Sequence, residues 1–263
     1  MFNFKKTYVL PFRFKVQNNT HIYLKQNSIF SRYIKYIKRY FFIYLTHQNS
    51  LEIYNIEPAH KSILWINTSA PSYGDSLMDL SSRVLLRGKM IDLFTDIASS
   101  KLYADDSVIS NVFTNKALID QNQYDLVIID SYSTRSIRIK NDIAPLVPFI
   151  GMFGFFNGPD VNRTLFSFHR MNQLLGYTRN ESYINAIAKP SLSISTKDQE
   201  KIQLENLPEN YIIIALGGEW SFRTFNNWDI LIERIFKEDK NIKGIGFLPY
   251  LNKITNIFFS KKN

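Results

Sequence analysis

An α/β protein built on parallel strands is expected from this sequence on three grounds. Short apolar runs rich in β-branched residues recur along the chain without polar alternation, as strands buried on both faces require. Between them lie stretches whose apolar residues are three and four apart, the spacing of one helical face. Their order, strand then helix then strand, is that of right-handed crossovers in a parallel sheet. With 263 residues, 45% of them apolar, the chain can bury the core of one large or two small domains.

The first 60 residues form a basic, aromatic N-terminal extension. Residues 1–61 carry 10 Lys and Arg against 2 acidic residues, so +8 of the net charge of +9 sits there. Within SIFSRYIKYIKRYFFIYL (28–45), Ile29, Phe30, Tyr33, Ile34, Ile37, Tyr40, Phe41 and Tyr44 fall at helical spacing, with Arg32, Lys35, Lys38 and Arg39 across much of the opposite side. Such a helix either lies on an anionic membrane surface, rings at the headgroup boundary, or packs its stripe on the protein's own body. No nucleic-acid-binding motif is present, and nucleic acid is not expected as a partner. No apolar run approaches the ~18–20 residues that span a bilayer. Lys5, Lys6, Pro11 and Arg13 interrupt the opening before a signal-peptide core can form. Cysteine is absent, which removes disulfides and thiolate chemistry and makes a cytoplasmic site the simpler expectation, with room for peripheral attachment to the inner face of the plasma membrane.

From residue 61 the elements alternate. SILWIN (62–67) is expected as a first buried strand, residues 75–86 as a helix, MIDLFTD (90–96) as a second strand and YDLVIID (124–130) as a third. LVPFIGMF (146–153) is expected as a fourth strand, followed by a helix over 166–175. Residues 61–190 would make one domain, the polar stretch 191–207 a linker, and 208–263 the beginning of a second domain. There YIIIAL (211–216) is an unbroken apolar strand, and Trp228, Leu231, Ile232 and Ile235 form a helical stripe with Asn226 or Asn227 as cap. Gly217 and Gly218 between them allow close approach to a ligand, and Arg223 offers a fixed charge for a phosphate; the same residues also suit a plain strand-to-helix turn.

Candidate chemistry gathers where strands end, because ligands of open α/β sheets bind at the carboxyl ends of the strands. Asp75, in the loop NTSAPSYGDS (67–76), is either a helix N-terminal charge or a general base for an attacking hydroxyl. Asp130 ends the third expected strand, with Ser131, Ser133, Thr134 and Arg135 beyond it; these residues either cap a helix or hydrogen-bond a sugar or phosphate. His169, alone among apolar residues, is expected to be structural, and no metal site is expected. Neither a Walker loop, a nucleophile elbow nor an HExxH motif occurs.

Taken in order, these segments resemble glycosyltransferase family 9, the ADP-heptose:lipopolysaccharide heptosyltransferase family. ILWINTSAPSYGDSLMDLSSRVLL is similar to the family's opening strand, its loop ending in Gly-Asp, and the helix after it. MIDLFTD, YDLVIIDSYSTRSIRI, FHRMNQLLGY and GGEWSFRTFNNWDILIERI follow in family order over about residues 61–236. The resemblance implies a GT-B architecture, with an acceptor domain and a nucleotide-sugar domain, inversion at the anomeric carbon and no required metal. It implies that Asp75 is the general base and that Arg223, in the glycine-rich loop of Gly217 and Gly218, neutralises the donor diphosphate; Asp130, Ser131 and Arg135, at the strand end of the domain that would take the acceptor, are expected to border it. The donor would be a nucleotide-sugar of the ADP-heptose kind and the acceptor a lipid-linked, lipopolysaccharide-like glycan.

Two departures qualify what is implied. About 60 residues precede the family's first strand, and the sequence ends without the family's Asp-Ser/Thr-Gly-x-x-His segment, which embraces the nucleotide-sugar. The expectation is therefore one complete Rossmann-like domain plus the beginning of a second, truncated at the C-terminus and poorly soluble or dependent on a partner. A non-catalytic remnant that binds acceptor or membrane is the first alternative function, and an unrelated Rossmann-like nucleotide binder the second.

Overall fold

A computed structural model describes residues 29–70, 72–153, 162–204, 209–215, 227–239, 241–242, 244–248 and 258–261. Two compact units divide at Ile194 and Ser195.

The first unit is built on five parallel strands: β1 (Ser62–Asn67), β2 (Met90–Thr95), β3 (Asn111–Phe113), β4 (Leu126–Ser131) and β5 (Phe149–Phe153). Their order is β3-β2-β1-β4-β5, so the chain steps outward from β1 on one side and then crosses to the other. In the central strands Ile63 pairs with Ile91 and Leu126, and Trp65 with Leu93 and Ile128. Alternate residues feed two separate cores: Ile63, Trp65 and Ile128 face one way, Leu64, Ile66 and Ile129 the other.

Helices α2 (Tyr73–Asp79) and α5 (Arg163–Leu174) pack against each other, and Leu80, Met171 and Leu174 join the first core. Helix α5 buries Ser167, His169 and Arg170 among its apolar residues, each with a partner. Ser167 Oγ donates to the Asp79 carbonyl at 2.7 Å, His169 Nε2 meets Asn185 Oδ1 at 2.7 Å, and Arg170 Nη2 donates to the Gly151 carbonyl at 2.8 Å. His169 is thus structural, as expected. The shorter helices α3 (Ile97–Tyr103) and α6 (Glu181–Ile187) complete this side of the chain's fold, and α6 packs on α5.

The second core is covered by α1 (Ile29–Leu45) and α4 (Thr134–Ile143). Helix α1 ends where His47 adopts a left-handed conformation (φ 55°), with Gln48 N donating to the Ile43 carbonyl at 2.9 Å. That turn delivers Gln48 to α4, where its Nε2 donates to Asn141 Oδ1 at 2.9 Å and its Oε1 accepts from the Lys140 amine. Ile43 is buried on the body, whereas Phe30, Ile34, Ile37, Phe41 and Tyr44 remain exposed on the opposite side of the helix. One face of this helix therefore packs on the body through Ile43, and the long apolar stripe, expected as one possibility to pack there, does not. Beyond the helix, residue 52 bridges in parallel to Phe149, and Ile53 N donates to the Phe149 carbonyl at 2.9 Å, so the extension also lines the β5 edge.

Several boundaries differ from expectation for local reasons. The helix over 75–86 is α2 followed by a 3₁₀ segment, Ser81–Leu86, because the Ser81 hydroxyl donates to the Met78 carbonyl (2.7 Å) and Ser82 pairs with Ser167 (2.8 Å). Three-residue β3 intervenes before the expected third strand, which is therefore fourth in the sequence. Strand β5 starts only after Pro148, which lacks an amide donor. At Gly151 an added Cβ would lie 2.2 Å from the Tyr132 ring; glycine there admits the buried tyrosine, whose hydroxyl accepts from Gly151 N at 3.2 Å.

The second unit contains α7 (Thr196–Leu204), lying within the stretch 191–207, then β6 (Tyr211–Ala215), α8 (Trp228–Glu238), β7 (Gly244–Leu248) and β8 (Phe258–Lys261). Strands β6 and β7 are parallel and β7 and β8 antiparallel. Helix α8 half-buries Trp228, Leu231, Ile232 and Ile235 and exposes Asp229, Glu233 and Arg234, as its periodicity predicts. Asn227 holds the cap position without a side-chain cap bond. The donor-side candidates Gly217, Gly218 and Arg223, with Asn226, lie outside the described residues.

Candidate active site at the strand ends

The carboxyl ends of β1 and β4 meet through Asp130. Its Oδ2 accepts from Thr68 N (2.9 Å) and Ser69 N (2.7 Å), and its Oδ1 from Ser136 Oγ (2.6 Å) and Ser131 N (2.6 Å). A buried carboxylate with four donors locks the loop after β1 onto the start of α4. Ser133 caps α4, accepting from Ser136 N at 3.1 Å. Asp130 and Ser131 are thus buried in loop architecture, while Arg135, on the first turn of α4, is exposed.

Arg135 borders a cavity of about 480 Å³ over the ends of β1 and β2, shared with Thr68, Thr95, Asp96, Lys116 and Arg138. Three cations and one carboxylate leave it net positive. Asp96 is held as an α3 cap, accepting from Ser99 N at 2.9 Å, and Lys116 pairs with Asp142 at 2.7 Å on the surface. At the tip of β1, the Asn67 side-chain amide and the Thr68 hydroxyl are buried without a hydrogen-bond partner. Polar atoms orphaned at a strand end, next to a positively lined cavity, are suited to a hydroxylated, anionic ligand.

Asp75 sits on the other branch of the same loop, in the first turn of α2. Ser72 caps the helix: its Oγ accepts from Asp75 N (3.3 Å) and donates to Asp75 Oδ2 (2.7 Å). Asp75 Oδ1 accepts from Arg163 Nη1 at 2.6 Å. The same guanidinium forks onto Asp79, Nε to Oδ1 at 2.8 Å and Nη2 to Oδ2 at 2.6 Å. Burial pushes the Asp79 carboxyl up to about 7 against the opposing pull of Arg163, and Asp130 and Asp75 push it further. The Asp75 side chain keeps 22% of its surface exposed, against 4% for Asp79. Of the two, only Asp75 can meet a substrate.

Asp75 takes its hydrogen bonds from Ser72 and Arg163, and from none of Asp130, Ser131 or Arg135; Asp130 and Arg135 converge instead around Thr68. Asp79 and Arg163 escaped the sequence reading. The available signal was the i, i+4 pair Asp75 and Asp79 on a short helix, a like-charge pair that calls for a cation. Among the described residues, no group of three or more His, Asp or Glu is placed to hold a metal ion.

Solved structures share this architecture. The glycosyl transferase family 9 protein from Veillonella parvula DSM 2008 is 13% identical over 73% of this chain and 64% of its own, with a TM-score of 0.50. The chain shares the fold of this protein. E. coli heptosyltransferase WaaC, solved with ADP, is 15% identical over 71% of this chain and 67% of its own (TM-score 0.46). E. coli ADP-heptose lps heptosyltransferase II is 15% identical over 67% and 62% (TM-score 0.47). The chain therefore spans less than two thirds of the Veillonella protein's length. No family model and no curated protein sequence matches it. The five-stranded parallel sheet with its flanking helices is the Rossmann-like α/β core of the GT-B arrangement that the sequence resemblance implied.

Proposed function

We propose that this protein is an inverting glycosyltransferase that moves heptose or a related sugar from a nucleotide-sugar, ADP-heptose or a close analogue, to a lipopolysaccharide-like or other surface-glycan acceptor. The observation that carries this reading is Asp75, a part-exposed carboxylate held by Ser72 and Arg163 after the first strand, where the resemblance puts the general base. In the step, the acceptor hydroxyl oxygen bonds to the anomeric carbon, its proton passes to Asp75, and the bond to the diphosphate oxygen breaks with its electron pair leaving on the nucleotide. Arg223, with the backbone at Gly217 and Gly218, neutralises the departing diphosphate in this scheme. The cavity at Thr68, Arg135 and Arg138 receives an anionic part of the acceptor, with the buried Asp130 holding Thr68 in its wall.

The exposed stripe of α1 adds a surface role. Phe30, Ile34, Ile37, Phe41 and Tyr44 repeat every three or four residues along one side of the helix, and the extension carries most of the chain's net positive charge. An anionic cytoplasmic leaflet offers both an apolar boundary for the rings and phosphates for the lysines. No described helix is long and apolar enough to cross a membrane.

Incubation with ADP-heptose and a lipid-linked inner-core acceptor is expected to release ADP, and Asp75→Asn to slow release by about 10²-fold or more while leaving acceptor binding in place. Undiminished turnover in Asp75→Asn removes it from the base role. The positive cavity favours one further reading, an acceptor-binding module without transfer. Calorimetric heat with the acceptor but none with ADP-heptose would select it.

A further inference from the structure

We infer that Arg163 is a positioning residue that sets the Asp75 carboxylate, using the buried Asp79 as its anchor. The inference rests on the base role proposed for Asp75. Asp75 and Asp79 are four residues apart on α2, so one guanidinium spans a single helical turn between them. A guanidinium offers five N–H groups in a rigid plane. Two of them make the fork on Asp79, at 2.8 and 2.6 Å, which fixes that plane; the Nη1 donor at 2.6 Å from Asp75 Oδ1 then has no freedom left.

Arg163 is itself held at the start of α5. Asn162 caps that helix by accepting from Leu165 N at 3.1 Å, and the guanidinium lies 5.8 Å from the centroid of the Phe153 ring, which stacks on Phe166 at 5.2 Å. Two helices far apart in sequence are thereby referenced to one carboxylate. Ser72 Oγ holds Asp75 Oδ2 from the other side at 2.7 Å, so both oxygens are oriented while each keeps a lone pair for an incoming hydroxyl. Orientation of this kind acts on the chemical step rather than on acceptor affinity, because the base meets the hydroxyl proton only as it is transferred.

Lysine keeps the charge at this position but not the fork, so Arg163→Lys separates geometry from charge. In the ADP-heptose assay with the lipid-linked acceptor, Arg163→Lys is expected to lower kcat at least tenfold with the acceptor KM within twofold of wild type. Asp79→Asn, which leaves Arg163 one amide oxygen, is expected to lower kcat by a smaller factor in the same direction. Unchanged kcat in Arg163→Lys, or a loss carried by KM alone, overturns the inference. If wild-type protein shows no transfer, the base reading fails by itself and crystal structures decide the positioning. In Arg163→Lys the Asp75 carboxylate should leave Ser72 Oγ, and a carboxylate in its wild-type place overturns the inference. Should Arg163→Lys fail to fold, Asp79→Asn supplies both readouts.

Discussion

On the sheet face covered by α2 and α5, buried guanidinium and carboxylate are paired: Arg83 meets Asp106 at 2.5 Å with both side chains almost fully enclosed, and Arg163 meets Asp79 through two bonds. On the face covered by α1 and α4 the Lys140 amine is buried against neutral groups, the Gln48 amide oxygen, the Pro145 carbonyl at 3.3 Å and the Phe149 ring at 5.1 Å. The first arrangement fixes charge with charge. The second fixes it with dipoles, and burial lowers the Lys140 amine to about 7. The difference assigns different work to the faces, since a guanidinium forked between two carboxylates holds Asp75 in place, whereas a single amine among neutral dipoles holds the α1 extension to the body.

The largest expected effect comes from unpairing the first face. Asp106→Ala leaves the Arg83 guanidinium buried beside the Leu80 and Ser191 carbonyls alone and also strips acceptors from Val108 N and Ile109 N. Breaking such a pair costs about 3–5 kcal/mol. Urea unfolding measures it, and a loss under about 1 kcal/mol would mean that water or a rearranged neighbour replaces the carboxylate.

A middle-sized effect separates the faces by pH. Lys140 titrates at about 7 in the folded chain against 10.5 for an ordinary lysine, so between those values the unfolded chain holds more protons and stability rises with pH. Asp79 runs the other way: at about 7 folded against 3.8, the native state holds the extra proton, and stability falls as pH rises from about 4 to about 7. The wild-type profile should therefore dip near neutrality. Lys140→Met flattens the alkaline limb and Asp79→Asn the acidic one in urea-derived stability measured across each window. A profile left unchanged by Lys140→Met would show that the amine stays charged in the fold.

The same contrast explains what could be seen in the sequence. Strands β1, β2 and β4 were legible because unbroken runs such as Ile63–Leu64–Trp65–Ile66 suit only a sheet covered on both faces. Strand β3 was not: three residues, half exposed, carry no periodicity to detect. Asp75 was legible through its Gly-Asp setting. Arg163 was not, because its partner lies 88 residues away and only the packing of α5 on α2 joins them. The stripe of α1 was legible as a stripe. Its direction was decided by Ile43 and Gln48, the residues that reach the body, and no count of apolar spacing distinguishes a face that packs from one that stays in water.

The smallest expected change in stability falls on that outward stripe, and it gives the sharpest test of the two-sided helix. Phe41 is 58% exposed, whereas Ile43, two residues on, is 1% exposed. Phe41→Ser should alter unfolding stability by no more than about 0.5 kcal/mol, as substitutions at exposed positions do. Ile43→Ser removes a core side chain and costs several times as much. The proposed lipid contact reverses the ranking in sedimentation with phosphatidylglycerol vesicles. There Phe41→Ser should weaken binding about tenfold, the transfer value of part of one aromatic side chain. Added salt should weaken the wild type further by screening the extension's charge. Wild-type protein that stays in the supernatant at low salt would remove the membrane role and leave the stripe to a protein partner. If Phe41→Ser instead destabilises the fold as much as Ile43→Ser, the stripe is packed in solution and the helix has one buried surface rather than two.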